Sequence, residues 1–291
     1  MTGTPLNELP LAIFTTCMPL AAGAFIGIAI ALFSGGNAPV AARRLDRMTA
    51  IPIVALAVGF LGAFCHLSTP ANAVYALSGI GHSPLTNEIA VASLFALVAV
   101  VYWILGLAGK LSIRARKAWL AAISVLGVVL AVFTGLAYHV DTIPTWSSAW
   151  PVVEMLGYLL MSTIVGALVA ALAGEGSAAD GADGELSSDV AKRIAVVALC
   201  GLAATAVATV IHMVQTYAMA SPLLSGAALV TMAVPYLVGE GAALVAALAA
   251  YLVGMKREKP VALYAVASVL LLIGVFLGRL AFYCIQLNVG L

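Results

Sequence analysis

The chain has 291 residues, of which 64% are hydrophobic and only 9% charged, and its mean hydropathy of +1.13 lies far above the range of soluble domains. Its net charge is +1, so no basic field points to nucleic acid as a partner. The four cysteines stand singly inside apolar segments and form no CxxC motif, so we expect no metal site and no iron–sulfur cluster in this protein.

Eight apolar stretches are long enough to cross a bilayer, which takes about 20 helical residues. In sequence order they are 9–34, 50–68, 88–109, 116–138, 150–173, 191–217, 228–254 and 261–287. The fold prediction is therefore an all-α, polytopic membrane bundle of eight transmembrane helices. We expect one integral membrane domain over 1–291, with two four-helix halves, 1–173 and 191–291, joined by the Gly-, Ser- and acid-rich linker 174–190.

The positive charges predict the orientation of the bundle. Twelve of the 13 Lys and Arg residues lie in four short loops, which alternate with loops that contain neither residue type. These basic clusters are Arg43, Arg44 and Arg47; Lys110, Arg114, Arg116 and Lys117; Lys192 and Arg193; and Lys256, Arg257 and Lys259. Basic loops favour the cytoplasmic side. Because eight spans place both termini on one side, we expect the N-terminus and the C-terminus outside.

Ionisable residues in and beside the spans gather toward the predicted outer side, and each is a candidate site residue because charge is costly in a membrane. They are Glu8, His66, His82, Glu88, His139, Asp141, Glu154, His212, Glu240 and Arg279. From the helical rise, Arg279 stands about 27 Å above Val261, and His66 about 22 Å above Ile51.

Each of these residues also has a structural interpretation. Arg279 could snorkel to the outer interface, His66 could be a satisfied residue at a helix end, and Glu88 could be a first-turn carboxylate favoured by the helix dipole. Glu240 is more central, and the sequence identifies no partner for it. We expect the remaining candidates of the outer loops and interface to be wetted by solvent, and these are His82, His139 and Glu154.

Taken together, an imidazole, a carboxylate, a guanidinium and a phenol suit a quinone head group. Tyr283 follows Arg279 by four residues and therefore shares its helix face. Quinol oxidation releases two protons, which a His and a Glu near water can accept as general bases. Tyr and Arg can donate hydrogen bonds to the quinone oxygens.

Five strings of the sequence resemble the DmsC-type membrane anchor of dimethyl sulfoxide reductases. They are Leu9–Thr15, His66–Pro70 followed by Ala73, Gly81–Ala90, Asp141–Trp146 with Trp150–Pro151, and Gly278–Arg279 with Phe282–Tyr283. The strings occur in the family's order from residue 9 to residue 283, so the resemblance covers nearly the whole sequence. Residues 174–235 depart from the family pattern, and His212 has no counterpart there.

The resemblance implies an anchor, in a bacterial inner membrane, for a four-cluster ferredoxin-like iron–sulfur subunit and a molybdopterin catalytic subunit. Such an anchor oxidises menaquinol, passes the electrons to the iron–sulfur subunit and holds no haem. In that family, the residues that match His66 and Glu88 are associated with quinol binding. The resemblance therefore makes His66 and Glu88 the candidate catalytic residues. The full candidate quinol site comprises His66, Glu88, Arg279, Tyr283, Asp141 and Trp146.

Three other functions stay open on the sequence. A haem b anchor would need two axial ligands, and only His66 and His212 lie inside spans. A secondary transporter would place its ionisable groups near the midplane, often in repeated halves. A purely structural anchor would bind no quinone. The terminal substrate, the quinone type and the direction of electron flow are equally open.

Overall fold

The structure is a computed structural model that describes residues 5–34, 39–67, 78–178, 187–221 and 224–287. A short 3₁₀ helix, Pro5–Glu8, precedes the α-helices of these ranges. The α-helices are α1 (Leu9–Ser34), α2 (Pro39–Met48), α3 (Ala50–His66), α4 (Pro84–Leu107), α5 (Ile113–Leu136), α6 (Trp150–Met161), α7 (Thr163–Ala178), α8 (Ser188–Tyr217), α9 (Gly226–Gly254) and α10 (Val261–Cys284).

The all-α prediction is confirmed, because the described residues hold eight helical segments long and apolar enough to cross a membrane, and no strand. The predicted fifth span comprises α6 and α7, which meet at Ser162. The basic segment predicted as loop 35–49 contains α2, which leads almost directly into α3. Both α7 and α8 extend into the predicted linker 174–190, of which residues 179–186 lie outside the described part.

Several spans begin two to four residues earlier than the apolar runs predict, because a serine caps each of them. The Ser83 hydroxyl accepts a hydrogen bond from the Thr86 amide at the start of α4. The same N-cap bond is made at α5, α8 and α9 by Ser112, Ser187 and Ser225. A polar cap and a polar first turn suit a helix N-terminus, although they lower the hydropathy by which a span is recognised.

The interior of the bundle is formed by α1 and by α6 with α7, which are mostly buried, while the other spans expose wide apolar faces. The close approach of these helices depends on the glycines of α1. A Cβ atom at Gly23 would collide with the backbone of Leu159, and one at Gly27 with that of Thr163. This pair therefore acts as the packing motif expected of two glycines four residues apart in a membrane helix.

The contacts of Arg116 and Arg193 bring three of the basic clusters to the same end of the bundle, here called the basic end. The Arg116 guanidinium donates to the Asp46 carboxylate at 2.7 and 3.0 Å, and both side chains are buried. Arg193 donates to the Ser34 hydroxyl at 3.1 Å. The opposite end, here called the polar end, carries loop 137–149 and the ends of α3, α8 and α10.

Candidate functional site

A buried arginine lies at the centre of the polar end. Arg279, in the last two turns of α10, has no solvent-exposed surface. Its Nε donates to the Thr15 hydroxyl of α1 at 2.9 Å, and its Nη2 to the Tyr283 hydroxyl at 3.5 Å. The guanidinium carbon lies 4.2 Å from the ring centroid of Phe282 and 5.2 Å from those of Tyr138 and Tyr283. Arg279 therefore does not snorkel to an interface but is held by cation–π contacts inside the bundle.

Two phenols extend this site toward loop 137–149. The Tyr138 and Tyr283 hydroxyls are 2.5 Å apart, and Tyr283 also approaches Thr15 at 3.4 Å. Burial raises the pKa of the Tyr138 phenol well above its ordinary value, and Tyr283 and Glu88 raise it further while Arg279 opposes them. Tyr138 therefore stays protonated and remains a hydrogen-bond donor. Thr15, Glu88, Tyr138, Arg279 and Tyr283 are called the arginine cluster below.

Glu88 supplies the carboxylate of the arginine cluster. It lies in the second turn of α4 and is 3% exposed, and its carboxyl group interacts with the neighbouring Thr134 hydroxyl of α5 and electrostatically with Arg279. Among the described residues, neither its Oε1 nor Nη1 of Arg279 has a hydrogen-bond partner. Buried polar atoms without partners are uncommon in folded proteins. The arginine cluster therefore contains one buried acceptor atom and one buried donor atom that have no hydrogen-bond partner among the described residues.

Loop 137–149 is fastened to the end of α10. The Trp146 indole donates to the Phe282 carbonyl at 3.2 Å and stacks on its ring with centroids 5.1 Å apart. The Thr145 hydroxyl donates to the Ile285 carbonyl at 2.6 Å. Trp146 is thus a buried wall of the site, and its one hydrogen-bond donor is already used.

A second buried polar group lies beside the arginine cluster. His212 of α8 faces Glu154 of α6, with Nδ1 3.1 Å from Oε1, and its Nε2 lies 2.7 Å from the Thr145 carbonyl. Glu154 is 4% exposed, so the expectation that it is wetted is wrong, because α8 packs over α6 at this point. Both ring nitrogens of His212 are engaged, which does not fit the role of an axial haem ligand.

Glu240 of α9 forms a hydrogen bond with a residue of α6. A partner on a neighbouring helix suits an ionisable group near the middle of a span, where charge is costly. The Tyr158 hydroxyl donates to Oε1 of Glu240 at 2.6 Å, and both residues are buried. A Cβ atom at Gly278 would collide with this pair, so the glycine brings Tyr158 and Glu240 against the backbone next to Arg279. A cavity of about 10 Å³ is bordered by Glu154, Tyr158, Glu240 and Thr209 together with apolar residues.

His66 and Asp141 lie outside the arginine cluster. The His66 side chain is 43% exposed at the end of α3, with its Nδ1 3.9 Å from Oε2 of Glu8. The 3₁₀ helix that carries Glu8 packs against α10. Asp141 is exposed in loop 137–149, and His82 and His139 are exposed as expected. Residues 68–77, which hold part of the second matching string, are not among the described residues.

Tyr138, Tyr158 and Thr15 belong to these buried groups but are not predicted from the sequence. One signal was available, because Glu154 and Tyr158 are four residues apart and share a face of α6. Nothing in the sequence marks the other two among many Tyr and Thr residues. Of the predicted site residues, the structure brings together Glu88, Arg279, Tyr283 and Trp146.

The family model described as DMSO reductase anchor subunit (DmsC) matches residues 1–285. The C subunit of the anaerobic dimethyl sulfoxide reductase of Escherichia coli strain K12 is 31% identical over 293 aligned residues, which cover 99% of the present protein and 98% of that subunit. The anaerobic dimethyl sulfoxide reductase subunit YnfH of the same strain is 32% identical over 169 residues, or 58% of each protein.

Among solved structures, the bd oxidase of Geobacillus thermodenitrificans is similar in fold. The alignment has a TM-score of 0.58 and covers 97% of the present protein and 84% of the oxidase polypeptide. The two sequences are only 14% identical, so the likeness concerns the arrangement of helices alone.

Proposed function

The protein belongs to the DMSO reductase anchor subunit family, the membrane anchors of reductase complexes, and from this premise we propose that it oxidises menaquinol. The electrons pass to an iron–sulfur subunit of the four-cluster ferredoxin-like type and from there to a molybdopterin catalytic subunit. The complex operates in anaerobic respiration at the bacterial inner membrane.

The basic end faces the cytoplasm and both termini lie outside, as the positive-inside pattern predicts. A reporter that is active only in the cytoplasm should therefore be inactive when fused to the C-terminus, and full activity would refute this orientation.

The observation that carries the proposal is the pair of uncommitted atoms in the arginine cluster. Oε1 of Glu88 and Nη1 of Arg279 have no partner among the described residues, and both side chains are buried. A quinol has a hydroxyl hydrogen that a carboxylate can accept and an oxygen to which a guanidinium can donate. The rings of Tyr138, Phe282 and Tyr283 provide flat apolar surface of the kind that a quinone ring prefers.

Arg279 has the larger electrostatic role. When a quinol loses a hydroxyl proton, negative charge develops on that oxygen, and a fixed cation in a dry site stabilises it strongly. The Thr15 hydroxyl and the three rings hold the guanidinium in place before the substrate arrives, so little reorganisation is needed. Glu88 is the proton acceptor at this buried side.

His66 is the proton acceptor at the exposed side. Its ring lies at the end of α3, in contact with water, and Glu8 faces it at 3.9 Å. The 3₁₀ helix of Glu8 packs against α10, which also carries Arg279. We therefore place the quinol between the His66–Glu8 pair and the arginine cluster. Oxidation sends two electrons to the iron–sulfur subunit, one proton to His66 and one to the buried side.

The proposal is tested on the intact complex with a menaquinol analogue as electron donor. Glu88→Gln and Arg279→Gln should each lower quinol-dependent turnover at least tenfold, while electrons supplied directly to the catalytic subunit by a soluble dye should be used at the normal rate. Tyr251→Phe is the matched control, because it also removes a buried side-chain hydrogen bond. That bond joins Tyr251 of α9 to the Ala191 carbonyl of α8 and involves neither α4 nor α10, the helices of Glu88 and Arg279. Normal quinol turnover in both site variants would refute the proposed site.

A further inference from the structure

Beside the quinol site lie two buried polar pairs that it does not use, Glu154–His212 and Tyr158–Glu240. Ionisable groups inside a membrane protein are costly and mark sites or pathways. We propose that these pairs form a proton relay, an inference that rests on the proposed function. The relay carries the quinol proton that is released toward the arginine cluster to water at loop 137–149.

The Glu154–His212 pair holds a transferable proton by its geometry. Nε2 of His212 lies 2.7 Å from the Thr145 carbonyl, which only accepts hydrogen bonds, so Nε2 carries a hydrogen. Nδ1 lies 3.1 Å from Oε1 of Glu154. A hydrogen bond between an imidazole nitrogen and a carboxyl oxygen needs a proton on one of the two atoms. The pair therefore shares a proton that either partner can hold, as a relay requires.

The Tyr158–Glu240 pair is the deeper member, and it adjoins the arginine cluster. The two side chains are joined at 2.6 Å and lie against Gly278, the residue before Arg279. Tyr158 and Glu240 also interact electrostatically with Arg279 and with Glu154. Glu240 is therefore near enough to Arg279 that the readiness of its carboxylate to bind a proton depends on the charge of the neighbouring quinol oxygen.

The cavity of about 10 Å³ connects the two pairs. Its polar lining consists of Glu154, Tyr158, Thr209 and Glu240, so it borders at least one member of each pair. This volume is at the lower limit for one water molecule, and such a water needs two to four polar partners. One water at this point would complete a chain of hydrogen bonds from Glu240 to Glu154.

Charge balance also requires protons at this place. Besides Arg279, the buried carboxyl and imidazole groups at the described part of the polar end are Glu88, Glu154, Glu240 and His212. If every carboxyl group were ionised and His212 neutral, the carboxylates would outnumber the single cation by two. A membrane interior does not support two uncompensated negative charges. The group therefore holds protons at rest and can exchange them one at a time.

The two pairs lie at successive depths. Glu154 lies one turn below Trp150, and His212 one turn below Gln215, and the Trp150–Gln215 hydrogen bond at 2.9 Å is exposed to solvent. Tyr158 lies about 6 Å deeper along α6 than Glu154, at 1.5 Å per residue. Such an order of depths places the exit beside loop 137–149 and the entrance beside Arg279.

The transfer conserves the state of the protein. The quinol O–H bond breaks, and its proton binds the Glu88 carboxylate, which passes it to Glu240, another carboxyl group that interacts with Arg279. A proton passes from Glu240 through the bridging water to Glu154 and His212. Nε2 of His212 then releases its hydrogen to water after exchanging the Thr145 carbonyl for solvent. The imidazole ring turns over, so that the nitrogen that still carries a hydrogen faces the Thr145 carbonyl and the bare nitrogen accepts a hydrogen bond from protonated Glu154. No electron moves along this path, because both electrons leave to the iron–sulfur subunit.

The test measures turnover, solvent isotope effect and inhibitor binding in the intact complex. Glu240→Gln and His212→Gln should lower menaquinol-analogue turnover at least tenfold, and the rate ratio between H₂O and D₂O should rise above two because proton transfer becomes limiting. A fluorescent hydroxyquinoline N-oxide, which mimics the quinol head group, should still bind with unchanged affinity. In His212→Ala, added imidazole should restore part of the turnover, which a merely structural role of His212 would not allow.

Tyr158→Phe still tests the relay if the Glu240 or His212 variants fail to assemble, because it removes only a hydroxyl group. It should slow turnover at least threefold. Tyr251→Phe, another buried Tyr-to-Phe change, should leave turnover and isotope effect unchanged. Wild-type values in Glu240→Gln, His212→Gln and Tyr158→Phe would overturn the relay and leave the quinol site standing. If the inhibitor fails to bind the wild-type complex, the proposed function fails and the relay with it.

Discussion

Substituting Gly278 by alanine tests whether this glycine serves packing or the buried acid pair. A Cβ atom at Gly278 would lie 2.5 Å from Oε1 and 2.7 Å from Cδ of Glu240, and it would also collide with the Tyr158 hydroxyl. An ordinary van der Waals contact needs at least 3.4 Å. Glu240 must therefore move by about 1 Å, which lengthens the hydrogen bond to Tyr158 from 2.6 Å to beyond the usual hydrogen-bonding range.

The expected magnitude follows from that bond. A hydrogen bond to a charged group contributes about 1.5–3 kcal/mol, and alanine regains at most about 1 kcal/mol over glycine through its helix propensity. The complex should therefore lose about 0.5–2 kcal/mol of stability. If the loss of the bond appears in full in the transition state, turnover falls about tenfold to a hundredfold, at 1.36 kcal/mol per factor of ten.

Gly274→Ala is the matched control on the same helix face. Its Cβ atom would meet Cδ2 of Leu244 at 2.6 Å, which is the mobile end of an apolar side chain. We expect Gly274→Ala to keep normal quinol turnover per assembled complex and Gly278→Ala to lose it. Both variants are compared by menaquinol-analogue turnover, normalised to the amount of complex in the membrane. Equal turnover in the two variants would refute the functional role assigned to Gly278.

Three further predictions concern other parts of the molecule. His66→Leu should leave membrane insertion and assembly intact and reduce quinol oxidation at least about tenfold, since loss of a general base costs about 10²–10⁴-fold; normal turnover would return His66 to a structural role. Glu88→Gln and Arg279→Gln should each weaken inhibitor binding, and the double variant should be much less than additive, whereas additive losses would separate the two residues. Asp46→Asn should destabilise the purified protein by about 3–5 kcal/mol, because it leaves Arg116 buried without its ion pair. In the exposed pair of Asp189 with Lys192, Asp189→Asn should change the melting temperature little, and an equal change in both variants would contradict the importance of burial for the Asp46 pair.

The spans could be predicted from the sequence because apolar length alone decides whether a helix crosses a membrane. Their starts could not, since Ser83, Ser112 and Ser187 extend the helices into polar first turns that hydropathy does not register. The helical segment α2 was missed for a related reason. Its basic residues read as a loop, although Asp46 of α2 is buried and holds Arg116.

The site could be predicted only in part. Depth and charge predict one shared site for Glu88 and Arg279, because two opposite charges at one level of a membrane favour a shared location, and in the structure the two buried side chains interact electrostatically. The partner of His212 could not be predicted in this way, since it depends on which faces of α6 and α8 meet. That contact is set by Gly157, whose missing side chain lets the backbone of Gly201 approach. Such a packing choice leaves no pattern in the local sequence.

The most direct test of a quinol site in this protein is the binding of a fluorescent hydroxyquinoline N-oxide to the purified complex. We predict saturable quenching with one site for each anchor subunit in the wild-type complex. We further predict at least tenfold weaker binding in Glu88→Gln and wild-type binding in Tyr251→Phe. If the wild-type complex shows no saturable binding, or if Glu88→Gln binds as tightly as the wild type, the protein does not bind quinol at the arginine cluster.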